Sequence, residues 1–145
     1  DVDLKVYTLD QTSGNNQQTQ PRFYIRNDGD TPLSNYSMRY YFTVENGQTP
    51  VFESYYMPSY CTASIEQVSG DVYCVLITFY NTLEAGGRIP QAENDGFNFG
   101  LHYQNYANVW NQGNDFSQPS GNNFTLTDKV AVFNSSNKLI YGTMP

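Results

Sequence analysis

The chain has 145 residues, 14 acidic against 7 basic for a formal net charge of −7, and 16% aromatic residues, chiefly 13 Tyr and 9 Phe. That length fits one domain, residues 1–145, able to bury a core without help from metals or disulfides. The acidic balance argues against nucleic acid and anionic membranes, which demand clustered cations. The aromatic and β-branched richness argues against disorder, and no run nears the roughly 18 apolar residues that would span a bilayer.

Strand periodicity dominates from the start. In residues 4–9, Leu4, Val6 and Thr8 share one face and Lys5, Tyr7 and Leu9 the other. Residues 10–19 read as a polar loop. Phe23 and Ile25 alternate with Arg22, Tyr24 and Arg26, and the strand closes at an Asp28-Gly29 turn signal. Tyr36, Met38, Tyr40, Phe42 and Val44 form one long apolar face that ends at Asn46-Gly47. Shorter strands are expected over residues 51–56 and 63–68, separated by Pro58. Residues 72–80 are apolar on both faces, which predicts a central strand.

After a turn at residues 84–87, Phe97, Phe99, Leu101 and Tyr103 alternate with Asn98, Gly100 and His102. A polar loop over residues 104–123 follows, then a closing hairpin from residues 129–133 and 138–141. The expected fold is all-β, an antiparallel β-sandwich of nine short strands; a barrel is the alternative.

Cys61 and Cys74 lack metal-ligand spacing, and His102 is the only histidine, so zinc is not expected. A secreted context allows a Cys61–Cys74 disulfide worth roughly 3 kcal/mol. A simple two-residue turn at Ser69-Gly70, however, would set Cys61 opposite Thr78 and Cys74 opposite Ile65. Two buried thiols therefore remain open as the alternative.

Catalytic constellations are weak. There is no G-x-S-x-G elbow. A thiol nucleophile would have to pair with His102. Among the carboxylates, Asp71, Glu84, Glu93, Asp95 and Asp115 sit mostly at turns rather than across a recognisable cleft. The reading is a protein that is not an enzyme. The polarity comes mainly from Asn, Gln, Ser, Thr and Tyr, which suits a neutral, hydroxyl-rich partner such as a polysaccharide. Nothing at the start reads as a signal peptide, so a mature or excised module is expected.

Several stretches, in this order and spacing, carry a resemblance: residues 4–6, Gln20-Pro21-Arg22-Phe23-Tyr24-Ile25-Arg26-Asn27-Asp28-Gly29, Met38-Arg39-Tyr40-Tyr41-Phe42-Thr43-Val44-Glu45-Asn46-Gly47, Trp110-Asn111-Gln112-Gly113-Asn114-Asp115-Phe116-Ser117, and the terminal Tyr141-Gly142-Thr143-Met144-Pro145. Together they resemble the family 3 carbohydrate-binding modules of cellulases and cellulosomal scaffold proteins. The likeness runs over residues 4–145 and is weakest over residues 51–73. It implies a nine-stranded antiparallel β-sandwich with jelly-roll topology, and a non-catalytic, monomeric module of a larger secreted, extracellular protein, with cellulose or another plant cell-wall β-glucan as partner.

The resemblance also implies a structural Ca²⁺ held by Thr43, Glu45, Asn111, Asn114 and Asp115, with Glu45 where the family has Asp. The family's planar strip of Asp-His, Tyr, Arg and Trp is not matched in kind. Tyr55 and Tyr56 stand at the Asp-His positions, and Tyr60 is the nearest substitute for the Tyr. Leu101 and Ala107 stand at the Arg and Trp positions in an ungapped count. A one-residue slip puts His102 and Tyr106 there instead. The expected carbohydrate contacts are Tyr55, Tyr56, His102, Tyr103, Tyr106 and Trp110, since a Tyr ring can present its face to sugar C–H groups and its hydroxyl to sugar hydroxyls. The alternative is a family member that has lost the strip and acts as a structural, linker-binding or catalytic-domain-supporting module.

Overall fold

The computed structural model describes residues 1–13, 16–92 and 94–145; Glu93 and part of the polar loop at residues 10–19 lie outside the described residues. Two antiparallel sheets are layered face to face. One contains β1 (Leu4–Asp10), β2 (Gln18–Thr19), β3 (Pro21–Asn27), β5 (Pro50–Tyr56), β8 (Arg88–Ile89), β9 (Phe97–Tyr103) and β10 (Thr125–Thr127). The other contains β4 (Leu33–Thr43), β6 (Cys61–Ser69), β7 (Val72–Leu83), β11 (Ala131–Phe133) and β12 (Leu139–Gly142), in the order β12-β11-β4-β7-β6. The sandwich is as expected, with three short strands more than the sequence pattern predicts: β2, β8 and β10.

Period-two alternation explains the core. Val6 of β1, Phe23 and Ile25 of β3, and Phe97, Phe99 and Leu101 of β9 face Met38, Tyr40 and Phe42 of β4 and Val75, Ile77 and Phe79 of β7, all fully buried. Burying each such side chain stabilises the fold by about 1.5–3 kcal/mol. β7 lies between β4 and β6, as its two apolar faces predict. Its outer face is covered where Cys74 packs with Tyr41, Ala131 and Phe133 beneath Phe116.

The Asp28-Gly29 and Asn46-Gly47 signals fall where the chain turns, but neither closes a hairpin. They join β3 to β4 and β4 to β5, which lie in different sheets. At the first, Asn27 is fully buried; its Oδ1 accepts the Gly29 N–H at 3.0 Å and its Nδ2 donates to the Thr31 carbonyl at 2.8 Å.

The disulfide reading is corrected: Cys61 and Cys74 are both free and buried. A bulge between Gln67 and Ser69 sets Cys61 opposite Phe79 and Cys74 opposite Glu66. The two cysteines are thus five residues apart along the ladder, roughly 17 Å, well beyond disulfide reach. Cys61 faces the main core and Cys74 the outer cluster. Desolvation pushes both thiols up to about 11, so neither is a reactive thiolate at neutral pH.

Candidate functional site

The outer face of β5 and β9 gathers the exposed aromatic rings. The two strands pair regularly from Pro50 opposite Tyr103 to Ser54 opposite Phe99, and the register then shifts so that Tyr56 meets Asn98. Tyr55 is the extra residue of this bulge. Without a bulge one of two adjacent tyrosines would point inward; here Tyr55 and Tyr56 are exposed to 47% and 45%. The Tyr55 ring lies over Gly100, where an added Cβ would come within 2.8 Å of its Cε2 and 3.0 Å of its Oη. The Tyr55 hydroxyl reaches Gln18 Oε1 at 3.4 Å.

Two residues further along β9, the His102 ring stacks under Tyr106, with centroids 3.7 Å apart and planes inclined by 11°. His102 is held by its own strand and the next: Nδ1 is 2.7 Å from the Tyr103 carbonyl and Nε2 is 3.2 Å from Glu53 Oε1 on β5. Tyr106 sits in the left-handed region, with φ 53°, unusual for a bulky residue. Its carbonyl accepts from Gln17 Nε2 at 2.9 Å, and its ring is 43% exposed. Partial desolvation raises its phenol, and the nearby Tyr55 and Glu53 add to the shift, so the two ring sites are neighbours.

Tyr103 and Trp110, both expected on this surface, are inside. Tyr103 alternates to the opposite face of β9 and is buried, with its ring 4.8 Å from that of Trp110; Trp110 is also buried and packs on Phe42. Their polar ends serve a different place: Tyr103 Oη accepts the Glu45 N–H at 2.8 Å, and Trp110 Nε1 donates to Asp115 Oδ2 at 2.8 Å. Leu101 is fully buried, so the ungapped alignment cannot furnish a strip residue there; His102 lies on the outward side of β9, as the one-residue slip requires, but is buried beneath Tyr106. His102 contributes as the support under Tyr106 rather than as an exposed contact. Sequence reading missed Glu53, Gly100 and Gln18. The first two share the outward face by register, since Glu53 lies opposite Gly100.

The five residues of the expected cation site do converge, around the end of β4 and a 3-10 turn at Gln112–Asn114. Thr43 donates its N–H to Asp115 Oδ1 at 3.0 Å and its hydroxyl to the Asn114 carbonyl at 2.9 Å. Asn111 Nδ2 donates to Glu45 Oε1 at 3.3 Å, and Asn114 Nδ2 bonds to the same oxygen. Burial first, and then the nearby Glu45 charge, push the Asp115 carboxyl up to about 7, against the Thr43 and Trp110 hydrogen bonds that lower it. Two mutually repelling carboxylates with carbonyl and amide oxygens beside them form a donor set that suits a hard cation. Among the described residues no three of His, Cys, Asp and Glu gather, so neutral oxygens would have to complete the shell.

The other acids considered for catalysis do not assemble. Asp71 and Glu84 are exposed at turns, and Glu93 lies outside the described residues. On the outer face of the β4 sheet a depression of about 320 Å³ is lined by Arg39, Tyr80 and Asn134 among others, without a cluster of exposed rings.

The all-β sandwich, together with the family match that follows, puts the chain in the class of non-catalytic carbohydrate-binding modules. Over residues 4–142 the chain matches the family model described as cellulose binding domain, and it belongs to that family. It is similar to the family 3b carbohydrate-binding module of the cellulosomal cellobiohydrolase 9A from Clostridium thermocellum, at 28% identity and TM-score 0.82, with 99% of each chain covered. A second similar structure is a carbohydrate-binding module described as unique, from Ruminiclostridium thermocellum, at 26% identity, TM-score 0.79 and coverage of 99% of this chain and 100% of the other. A family 3b module of the major scaffoldin of Acetivibrio cellulolyticus shares the fold, with TM-score 0.77 at 23% identity, over 98% of this chain and 97% of that one.

Proposed function

We propose that this chain is a secreted, single-domain module that binds cellulose or a related plant cell-wall β-glucan through Tyr55, Tyr56 and Tyr106, keeping an attached enzyme or scaffold on its substrate. One observation carries the reading. Three exposed tyrosines cluster on one sheet face, two turned out by a bulge and one held over His102. Exposed aromatic clusters of this kind mark binding surfaces, and the neutral rim of Gln18 and Asn98 suits sugar hydroxyls. His102 and Glu53 act as positioning residues for Tyr106. Tyr103 and Trp110 take no part in sugar contact.

Calcium belongs to the same proposal as a structural ion. Thr43, Glu45, Asn111, Asn114 and Asp115 would hold it, and the ion would supply positive charge that offsets the two carboxylates. The chain's own residues tie the end of β4 to the 3-10 turn through Thr43, Asn114 and Asp115.

The test is depletion from solution by microcrystalline cellulose, for wild type and for Tyr55→Ala/Tyr106→Ala. Retention of the wild type and loss in a folded double variant support the reading. Equal retention of the two would remove the platform from the account.

A further inference from the structure

A groove of about 380 Å³ begins at Tyr56 and is lined by Pro58, Tyr60, Asn81, Pro90 and Asp95 among others. Its lining runs from Tyr56 at the end of β5 to Asn81 and Thr82 of β7, which belong to different sheets, so the groove crosses the edge of the sandwich. Tyr56 borders both the groove and the tyrosine platform, so an occupant of one is adjacent to an occupant of the other.

The lining has the chemistry of a sugar site. Tyr60 packs edge-on against Phe97, 6.2 Å between centroids, which fixes its ring at the groove wall. Asn81 Oδ1 accepts the Tyr36 hydroxyl at 3.0 Å, which fixes the amide and leaves its Nδ2 to donate. Among the described residues, the hydroxyls of Tyr56 and Tyr60 and the carboxylate of Asp95 have no hydrogen-bond partner. Two rings, an amide donor and a carboxylate acceptor, in a cavity of ligand size, match the usual mix of apolar walls and a few placed polar groups. The Asp95 carboxylate disfavours an anionic sugar and accepts readily from neutral hydroxyls.

The geometry points to a subsite for a neutral glycosyl side branch on a β-glucan whose backbone lies on the tyrosine platform. This assignment rests on the platform reading proposed above. A straight chain on Tyr55 and Tyr106 cannot enter the groove without leaving those rings, because the groove crosses to the other sheet, away from the face that carries them. A branch from a backbone residue near Tyr56 can enter it while the backbone stays in place. Recognition of the branch makes a decorated, soluble glucan chain the preferred ligand over an unbranched one of equal backbone length.

The test is titration calorimetry with cellotetraose and with the same backbone carrying xylosyl branches, alongside depletion by microcrystalline cellulose. Three proteins are compared: wild type, Asp95→Ala, and Ala92→Trp, which fills the groove from an exposed position. The wild type is expected to bind the branched oligosaccharide about tenfold more tightly. Ala92→Trp should abolish that preference and Asp95→Ala should reduce it about threefold, both with cellulose retention unchanged. Equal wild-type affinity for the two oligosaccharides, or a preference that survives Ala92→Trp, would overturn the branch subsite while leaving the platform standing. A wild type that binds neither oligosaccharide nor cellulose would overturn the platform reading itself, and the subsite with it.

Discussion

Along β9 and the residues just after it, two pairs of rings leave the chain in opposite directions. His102 and Tyr106 stack on the outside of the sheet, where Tyr106 is exposed. Tyr103 and Trp110 pack 4.8 Å apart on the inside, and their polar ends reach Glu45 and Asp115. One strand thus separates a surface available to a ligand from a buried corner that braces the end of β4. Aromatic content alone does not distinguish the two; the parity of each position along the strand does, together with what its polar end finds.

The largest expected effect comes from breaking the inner pair. Trp110→Ala removes a buried ring and the donor to Asp115 Oδ2, and should cost about 3–5 kcal/mol of unfolding free energy. Cellulose retention per folded molecule should not change. Chemical denaturation and depletion on the same sample check both halves. Removing the exposed rings of the outer face should do the reverse. In Tyr55→Ala/Tyr106→Ala the loss of two stacking rings should weaken binding at least about tenfold, while the denaturation midpoint stays nearly constant. If both variants lose stability and binding together, the separation of the two regions fails.

Much of this arrangement is legible in the sequence, and the misses have physical causes. β1, β3, β4 and β9 alternate because each has one face on the main core, whereas β7 reads as apolar on both faces because its outer face is covered as well. β2, β8 and β10 are two or three residues long, too short for any period to register. The convergence of Thr43, Glu45, Asn111, Asn114 and Asp115 is legible because these residues keep a recognisable motif. The platform was only half readable. Alternation assigns Tyr103 to the inward face with Phe97, Phe99 and Leu101, yet its position at a loop edge favoured a surface role. Trp110 is drawn inside by its bond to Asp115, a partner five residues on that no periodicity reveals. The bulge that exposes both Tyr55 and Tyr56, like the one that offsets Cys61 from Cys74, depends on pairing with another strand.

The corner also gives a pH signature that the platform lacks. The Asp115 carboxyl is raised from 3.8 to about 7, so without a bound cation the folded state holds a proton that the unfolded chain has released. Stability from this group is fully present below about pH 4 and is lost as pH rises through about 7. Calcium needs the ionised carboxylate, so its stabilisation should grow over the same window and offset that loss. Thermal melts at pH 5 and 8, with excess calcium and with a chelator, should show a larger calcium-induced rise at pH 8. An equal rise at both pH values would contradict the assignment of Asp115 to the site.

The smallest expected effect refines the platform. In Gly100→Ala the new methyl would meet the Tyr55 ring rather than backbone. The ring should shift, weakening cellulose binding about two- to fivefold with little change in the melting temperature.

Ligand contact on the outer face of β5 and β9, and not at the inner pair, can be read residue by residue from NMR chemical shifts during titration with cellohexaose. The largest shifts are expected at Tyr55, Tyr56, Gly100, His102 and Tyr106, and small ones at Thr43, Tyr103 and Trp110. Shifts concentrated at Trp110 and Tyr103, or on the opposite sheet around Arg39 and Tyr80, would contradict it.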